Sequence, residues 1–276
     1  MKIIKSNGAK MPAIGFGTWT LDDGGAEAMV SAALETGYRH IDTAAMYANE
    51  AGVGAAIAAA NLDRDEVFVT TKIWHDQLNE GALQASIAQS LDKLKLDSVD
   101  LALIHWPPNE VPLAETMAAL NDAKTTGMTR HIGVANFTSD LIYAAVACSD
   151  APLVCNQIEY HAMLDQSTVA TACEAHGIAI TAYCPLAQGQ ALLAHPAVTG
   201  PAIRLGVSPG QIALHWIMQQ NNVAAIPRTQ QIERLALNLD VFDLSVTPQE
   251  MSALDALKSL NMRVVNPEFS PIWDAK

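Results

Sequence analysis

Eight short apolar runs alternate with helical patterns along this chain, and that alternation limits the fold more than any other feature. The runs lie at 14–17, 40–42, 67–72, 99–105, 130–135, 154–159, 178–182 and 223–227. Runs of this length read as buried strands. Helical spacing follows them at 26–36, 50–61, 81–94, 113–126, 139–148, 167–176, 209–221 and 232–238. One more helix, at 247–257, starts on Thr247 as its cap. Strand–helix units repeated eight times predict a (β/α)8 TIM barrel. An open doubly wound sheet is the alternative, because periodicity alone does not show closure. Asn7-Gly8, between short runs, signals an N-terminal β-hairpin that could plug the barrel's bottom. The tail at 261–276 carries Pro267 and Pro271 and is expected to be irregular. No linker or low-complexity stretch divides the chain, so 1–276 reads as one domain.

Bulk charge narrows the partners. Lys+Arg is 16 against 29 Asp+Glu, a net −13, and an acidic chain repels nucleic-acid backbones. The four cysteines form no C-x-x-C, so a zinc or dithiol site lacks support. They read as reduced thiols of a cytoplasmic protein. The start has no apolar leader, and no apolar run reaches membrane-spanning length. The expectation is a cytoplasmic monomer with a small-molecule partner and no bound metal.

The polar residues at the strand ends carry the functional signal. They are Asp42, Lys72, His105, Asn136, Gln157 or Glu159, Tyr183 and Arg228. In a barrel these positions converge on one mouth. Singly, each has an ordinary explanation: Lys72 could snorkel, His105 could be a satisfied core histidine, and Asn136 could cap a helix. Polar groups on nearly every strand end are harder to explain that way. Asp42, Lys72, His105 and Tyr47, on the loop after Asp42, also make chemical sense as a set. A phenol near its ordinary pKa of about 10 exchanges protons poorly at neutral pH. A neighbouring Lys72 ammonium, held by Asp42, pulls that value down. His105 can hydrogen-bond a carbonyl oxygen beside the phenol. Such a set protonates a carbonyl while something else attacks its carbon. With no Ser or Cys nucleophile motif, the attacker is expected to be a cofactor hydride. Gly15-Phe16-Gly17 is followed by Thr18, Trp19 and Thr20, so the dinucleotide fingerprint is broken, and no P-loop is present. Arg228, Thr229 and Arg234 offer a phosphate site at the eighth unit instead.

These residues fall in a series of motifs: GFGTW at 15–19, GYRHIDTAAMYANE at 37–50, TTKIW at 70–74 and DLALIHWP at 100–107. GVANF at 133–137, NQIEYH at 156–161, AYCPL at 182–186 and IPRT at 226–229 continue it. The series resembles the aldo-keto reductases over nearly the whole chain. The ending NMRVVNPEFSPIWD is most similar to the bacterial 2,5-diketo-D-gluconate reductase B group. The resemblance implies NADPH-dependent carbonyl reduction, with some NADH use possible. It makes Tyr47 the proton donor, Asp42 and Lys72 its tuning pair, and His105 the group that orients the carbonyl. It implies that Asn136 and Gln157 hold the nicotinamide carboxamide and that Tyr183 stacks on the ring. Thr18 and Leu186 would line the cofactor, with Leu186 along the pyrophosphate. Arg228, Thr229 and Arg234 would take the 2′-phosphate, and Asn238 would lie near the adenine. Three positions depart from the family pattern: Ala135 and Cys184 replace serines, and Leu237 replaces a glutamate. A cofactor-binding redox sensor and a cofactor-free barrel isomerase are the competing readings. Trp19, Trp74 and Trp106 follow strand ends and are expected to form an aromatic pocket. In the family the tail folds over the mouth, so Phe269, Ile272 or Trp273 is expected to complete that wall.

Overall fold

A two-residue turn begins the architecture. Strands β1 (Ile3–Ser6) and β2 (Ala9–Pro12) pair antiparallel, Ser6 opposite Ala9. Asn7 and Gly8 between them both have positive φ, 44° and 94°, as a tight hairpin turn requires. Ser6 Oγ donates to Val154 O at 2.6 Å and accepts from Ala179 N at 3.0 Å. The hairpin is thereby tied to the starts of two barrel strands and covers the barrel bottom, as expected. The structure is a computed structural model that describes residues 2–274.

The eight remaining strands are parallel and lie in chain order: β3 (Phe16–Gly17), β4 (His40–Asp42), β5 (Phe68–Ile73), β6 (Val99–Ile104), β7 (Thr129–Ala135), β8 (Leu153–Glu159), β9 (Ala179–Tyr183) and β10 (Val223–Ala225). The two edges meet. Ile14 bridges Ala225 in parallel, and Gly15 N donates to Ala225 O at 2.8 Å. The sheet closes as a (β/α)8 barrel, so the doubly wound alternative is set aside. Every residue of β5, β6 and β8 is buried, as strands covered on both faces must be.

Helices cover the outside. They are α1 (Asp23–Thr36), α2 (Glu50–Ala59), α3 (Ala82–Leu94), α4 (Leu113–Thr125), α5 (Ser139–Cys148), α6 (Ser167–Ala175), α7 (Gln190–Leu193), α8 (Pro196–Leu205), α9 (Pro209–Met218), α10 (Glu233–Leu239) and α11 (Pro248–Asp255). Local chemistry sets their starts. Thr247 and Glu250 form a capping box at α11, Ser208 and Gln211 one at α9, each with proline at the first helical position. Glycine permits the tightest packing. A Cβ on Gly52 of α2 would stand 2.0 Å from Asp23 O, and one on Gly54 would stand 2.5 Å from Leu94 O. Helices α7 and α8 were not expected. Pro196, Gly200 and Pro201 read as breakers, yet Pro196 sits at the helix start, where its missing N–H costs nothing. Among the described residues, no helix is long and apolar enough to cross a membrane. Residues 275 and 276, the end of the expected tail, lie outside the described residues.

Candidate active site

Asp42 ends β4, and the chain turns at once through one 3-10 turn, Ala45–Tyr47. Ala48 follows in the left-handed region at φ 54°. Asn49, fully buried, fixes this loop. Its Nδ2 donates to Thr18 O and Leu21 O, both at 2.9 Å, and its Oδ1 accepts from Thr43 Oγ1 at 2.8 Å. The loops after β3 and β4 thus share one amide, and Tyr47 is held between them. Sequence reasoning missed Asn49, because an asparagine just before a helix reads as a cap.

Asp42 and Lys72 are both buried, and Lys72 Nζ donates to Asp42 Oδ1 at 2.5 Å. The same ammonium reaches Thr43 O at 2.9 Å and Tyr47 OH at 3.4 Å. Gln157, on β8, donates to Asp42 Oδ2 at 2.6 Å. The His105 ring lies edge-on to Tyr47, 5.6 Å between centroids. Asn136 donates to His105 O at 2.9 Å and accepts from Tyr183 OH at 2.7 Å. It adopts φ 63°, in the left-handed region that asparagine tolerates better than most non-glycine residues. The structure therefore brings Asp42, Tyr47, Lys72, His105, Asn136, Gln157 and Tyr183 into one linked cluster.

Burial and charge set the protonation states. Burial would lower the Lys72 pKa, but Asp42 and Tyr47 outweigh it and the ammonium is held above its usual value. At Tyr47 the balance differs from the expected lowering. Burial pushes the phenol above 10.0, and Lys72 only partly opposes it, so the hydroxyl keeps its proton. His105 is held well below the histidine range by burial, then by Lys72 and His75, and is a neutral imidazole at neutral pH. Its Nδ1 is buried with no hydrogen-bond partner among the described residues.

The residues expected along a cofactor flank this cluster. Thr18 is buried, its Oγ1 3.1 Å from Asp42 O. Leu186 is half-buried in a loop where Cys184, Ala187 and Gln188 all have positive φ. Arg228 is exposed and donates to Trp19 O at 3.2 Å and to Thr20 Oγ1. Thr229 is buried and its hydroxyl accepts from Gln231 N at 3.0 Å. Arg234 is exposed, with no side-chain hydrogen bond among the described residues. Asn238 is buried, its side chain bonded to Tyr38. Two cations, a hydroxyl, two amides and a tyrosine ring make a donor set that fits a phosphorylated nicotinamide dinucleotide. Gln157 Oε1 has no partner among the described residues and can accept a carboxamide N–H.

Aromatic rings wall the other side. Phe269 of the tail meets Trp74 at 5.6 Å, Trp106 at 5.3 Å and His75 at 4.6 Å between centroids. Trp273 lies 6.2 Å from Trp106, beneath the Arg263 guanidinium, 3.7 Å from its ring centre. Trp74 also faces His105 at 5.0 Å. Two of the candidate pocket residues stand apart from these rings. Ile272 is 96% exposed and forms no wall. Trp19 is 48% exposed and makes no ring contact with the cluster among the described residues. His75 and Arg263 were missed, since neither stands at a strand end.

The profile of the Aldo/keto reductase family matches residues 13–259. Methylglyoxal reductase DkgB of Yersinia pestis is 44% identical over 268 residues, spanning 96% of this chain and 99% of that protein. A solved structure of a proposed 2,5-diketo-D-gluconic acid reductase B is 42% identical, with a TM-score of 0.96 over 100% of this chain and 98% of that one. The Bombyx mori aldo-keto reductase in complex with NADP is 33% identical, with a TM-score of 0.89 over 96% and 95% of the two chains. The chain belongs to the aldo/keto reductase family, resembles its 2,5-diketo-D-gluconate reductase B type, and is an oxidoreductase that acts on carbonyl groups.

Proposed function

We propose that the protein reduces a small aldehyde or ketone to an alcohol with NADPH, Tyr47 giving the proton. The observation that carries this reading is the Lys72 ammonium, 2.5 Å from Asp42 and 3.4 Å from the Tyr47 hydroxyl. A phenol that keeps its proton at rest can donate it once negative charge develops on a carbonyl oxygen. Lys72 then stabilises the phenolate left behind. Neutral His105 supplies a hydrogen-bond donor that orients the carbonyl. When bound, NADPH supplies the hydride. Asn136 and Gln157 hold its carboxamide, Tyr183 faces its ring, and Thr18 and Leu186 line its path. Arg228, Thr229 and Arg234 take the 2′-phosphate, which favours NADPH over NADH, and Asn238 lies by the adenine. Trp74, Trp106 and Trp273 hold the substrate, with Trp19 at the rim. The missing groups at Ala135, Cys184 and Leu237 leave the cofactor fewer partners, so some NADH use is expected.

The names of the relatives support a small dicarbonyl, keto-sugar or other ketone as substrate. We read residues 1–276 as one domain, acting as a cytoplasmic monomer. The test is NADPH oxidation across a panel of carbonyls that includes methylglyoxal and keto-sugars. Tight NADPH binding without oxidation of any would favour the redox-sensor reading. Unquenched tryptophan fluorescence on adding NADPH would remove the cofactor from the account.

A further inference from the structure

A second buried carboxylate, which the reaction does not use, ends β8. Glu159 is 0% exposed, stands two residues beyond Gln157, and pairs in register with Tyr183. A carboxylate is costly to bury unless donors surround it. The barrel provides one: His161 Nε2 lies 2.9 Å from Oε1. The tail provides the others. Val264 N donates to Oε1 at 2.7 Å, Val265 N donates to Oε2 at 2.9 Å, and the Arg263 guanidinium stands 4.0 Å from Oε2. Glu159 makes no hydrogen bond to Asp42, Tyr47, Lys72 or His105 among the described residues.

The tail beyond these amides carries the aromatic wall. Trp273 Nε1 donates to Asn266 Oδ1 at 2.7 Å, and Arg263 covers the same ring. Asp274 then accepts from Ser139 N at 3.0 Å and from Ser139 Oγ at 2.5 Å. The segment is pinned at both ends, and Phe269 hangs between the pins against Trp74 and Trp106. Only a carboxylate suits the first pin. A glutamine would turn its NH2 toward one of two consecutive amide N–H groups, donor against donor. A leucine would leave every donor unpaired.

We propose that Glu159 is a positioning residue for substrate selection: it latches residues 264–265 to the barrel and so sets where Phe269 and Trp273 wall the mouth. The substrate part of this proposal rests on the carbonyl-reductase reading above; the latch does not.

The test joins hydrogen exchange to kinetics on the full chain. In Glu159→Gln, the Val264 and Val265 amides should exchange about tenfold faster or more, while β6 and β7 amides keep their protection. KM for small carbonyls should rise about tenfold as the wall loosens, with kcat and NADPH affinity within about threefold. Val265→Pro removes one donor from the tail side and should reproduce the KM pattern. The double variant should be no worse than the more affected single variant, because both changes break one contact. Unchanged protection at 264 and 265 would overturn the latch, as would additive effects of the two substitutions. A uniform loss of protection across the barrel would make Glu159 scaffold instead. Should Glu159→Gln fail to fold, an unaltered substrate preference in Val265→Pro overturns the proposal on its own. Local loss of protection in a parent protein that reduces no carbonyl would fault the reductase reading and uphold the latch.

Discussion

Gln157 and Asp42 meet across the barrel, Nε2 to Oδ2 at 2.6 Å, although 115 residues separate them in sequence. With Lys72 on Oδ1, both oxygens of the buried carboxylate are in use. Lys72→Met therefore strands a charge that one neutral amide cannot satisfy. Breaking such a pair should cost about 3–5 kcal/mol of stability, read by urea denaturation. It should also abolish turnover. A loss below about 1 kcal/mol would mean that the pair is screened by water.

Tyr47→Phe keeps the ring against His105 and removes only the hydroxyl. Carbonyl reduction should fall about a hundredfold to ten-thousandfold, the range for a general acid. NADPH affinity, measured by fluorescence titration, should stay within about twofold. Turnover close to that of the parent would take Tyr47 out of the chemistry.

The neutral state of His105 has a thermodynamic signature. Its folded value lies well below 6.5, so on acidification the unfolded chain takes up a proton that the folded site refuses. The stability from this site is complete above about pH 6.5 and drains away as pH falls toward the folded value. Buried His40 is lowered too and adds to the slope. Denaturation midpoints of the parent should drop more steeply between about pH 7 and 5 than those of His105→Gln. Parallel profiles for the two proteins would refute the assignment.

Arg234 is the cation at the proposed phosphate site that makes no side-chain hydrogen bond among the described residues, whereas Arg228 is bonded to Trp19 and Thr20. Arg234→Ala should weaken NADPH by about tenfold to a hundredfold, the worth of one charge-assisted bond. NADH should bind as before. An equal loss for both cofactors would place Arg234 elsewhere along the dinucleotide.

Phe269 meets three rings at the mouth, so its loss opens space instead of removing a reactive group. Phe269→Ala should raise KM for small carbonyls by about tenfold and shift preference toward larger ones. The NADPH dissociation constant is the control and should not move. A variant that melts earlier but keeps its substrate preference would assign the ring to scaffolding.

Much of the fold and of the polar cluster is legible in the sequence. Eight strand runs were readable because strands buried on both faces are mostly apolar, as β6 is from Leu101 to Ile104. The cluster of Asp42, Lys72 and His105 was readable because a polar group at the end of such a run stands out. What could not be read depends on distance in the chain. Asn49 binds Thr18 and Leu21, and Glu159 binds Val264 and Val265, by contacts that no local pattern records. The sign of the Tyr47 shift was missed for a related reason. Proximity to Lys72 can be guessed from strand order, but the desolvation that outweighs it depends on the whole packed mouth. Helix α8 was hidden by prolines whose positions are harmless only where the helix begins or tolerates a lost bond, and α7 by its length of a single turn.

The closure of the sheet between Ile14 and Ala225 also bears on how the protein is made. A ribosome releases Ile14 long before Ala225. Until then the first barrel strand exposes an unpaired edge, and the nascent sheet can be extended by any other extended chain that reaches it. Ordering that depends on such distant pairing is slow. The hairpin tied to β8 and β9 must wait as well, because its partners Val154 and Ala179 emerge long after Ser6. The seam that closes the barrel therefore cannot pair until β10 is made.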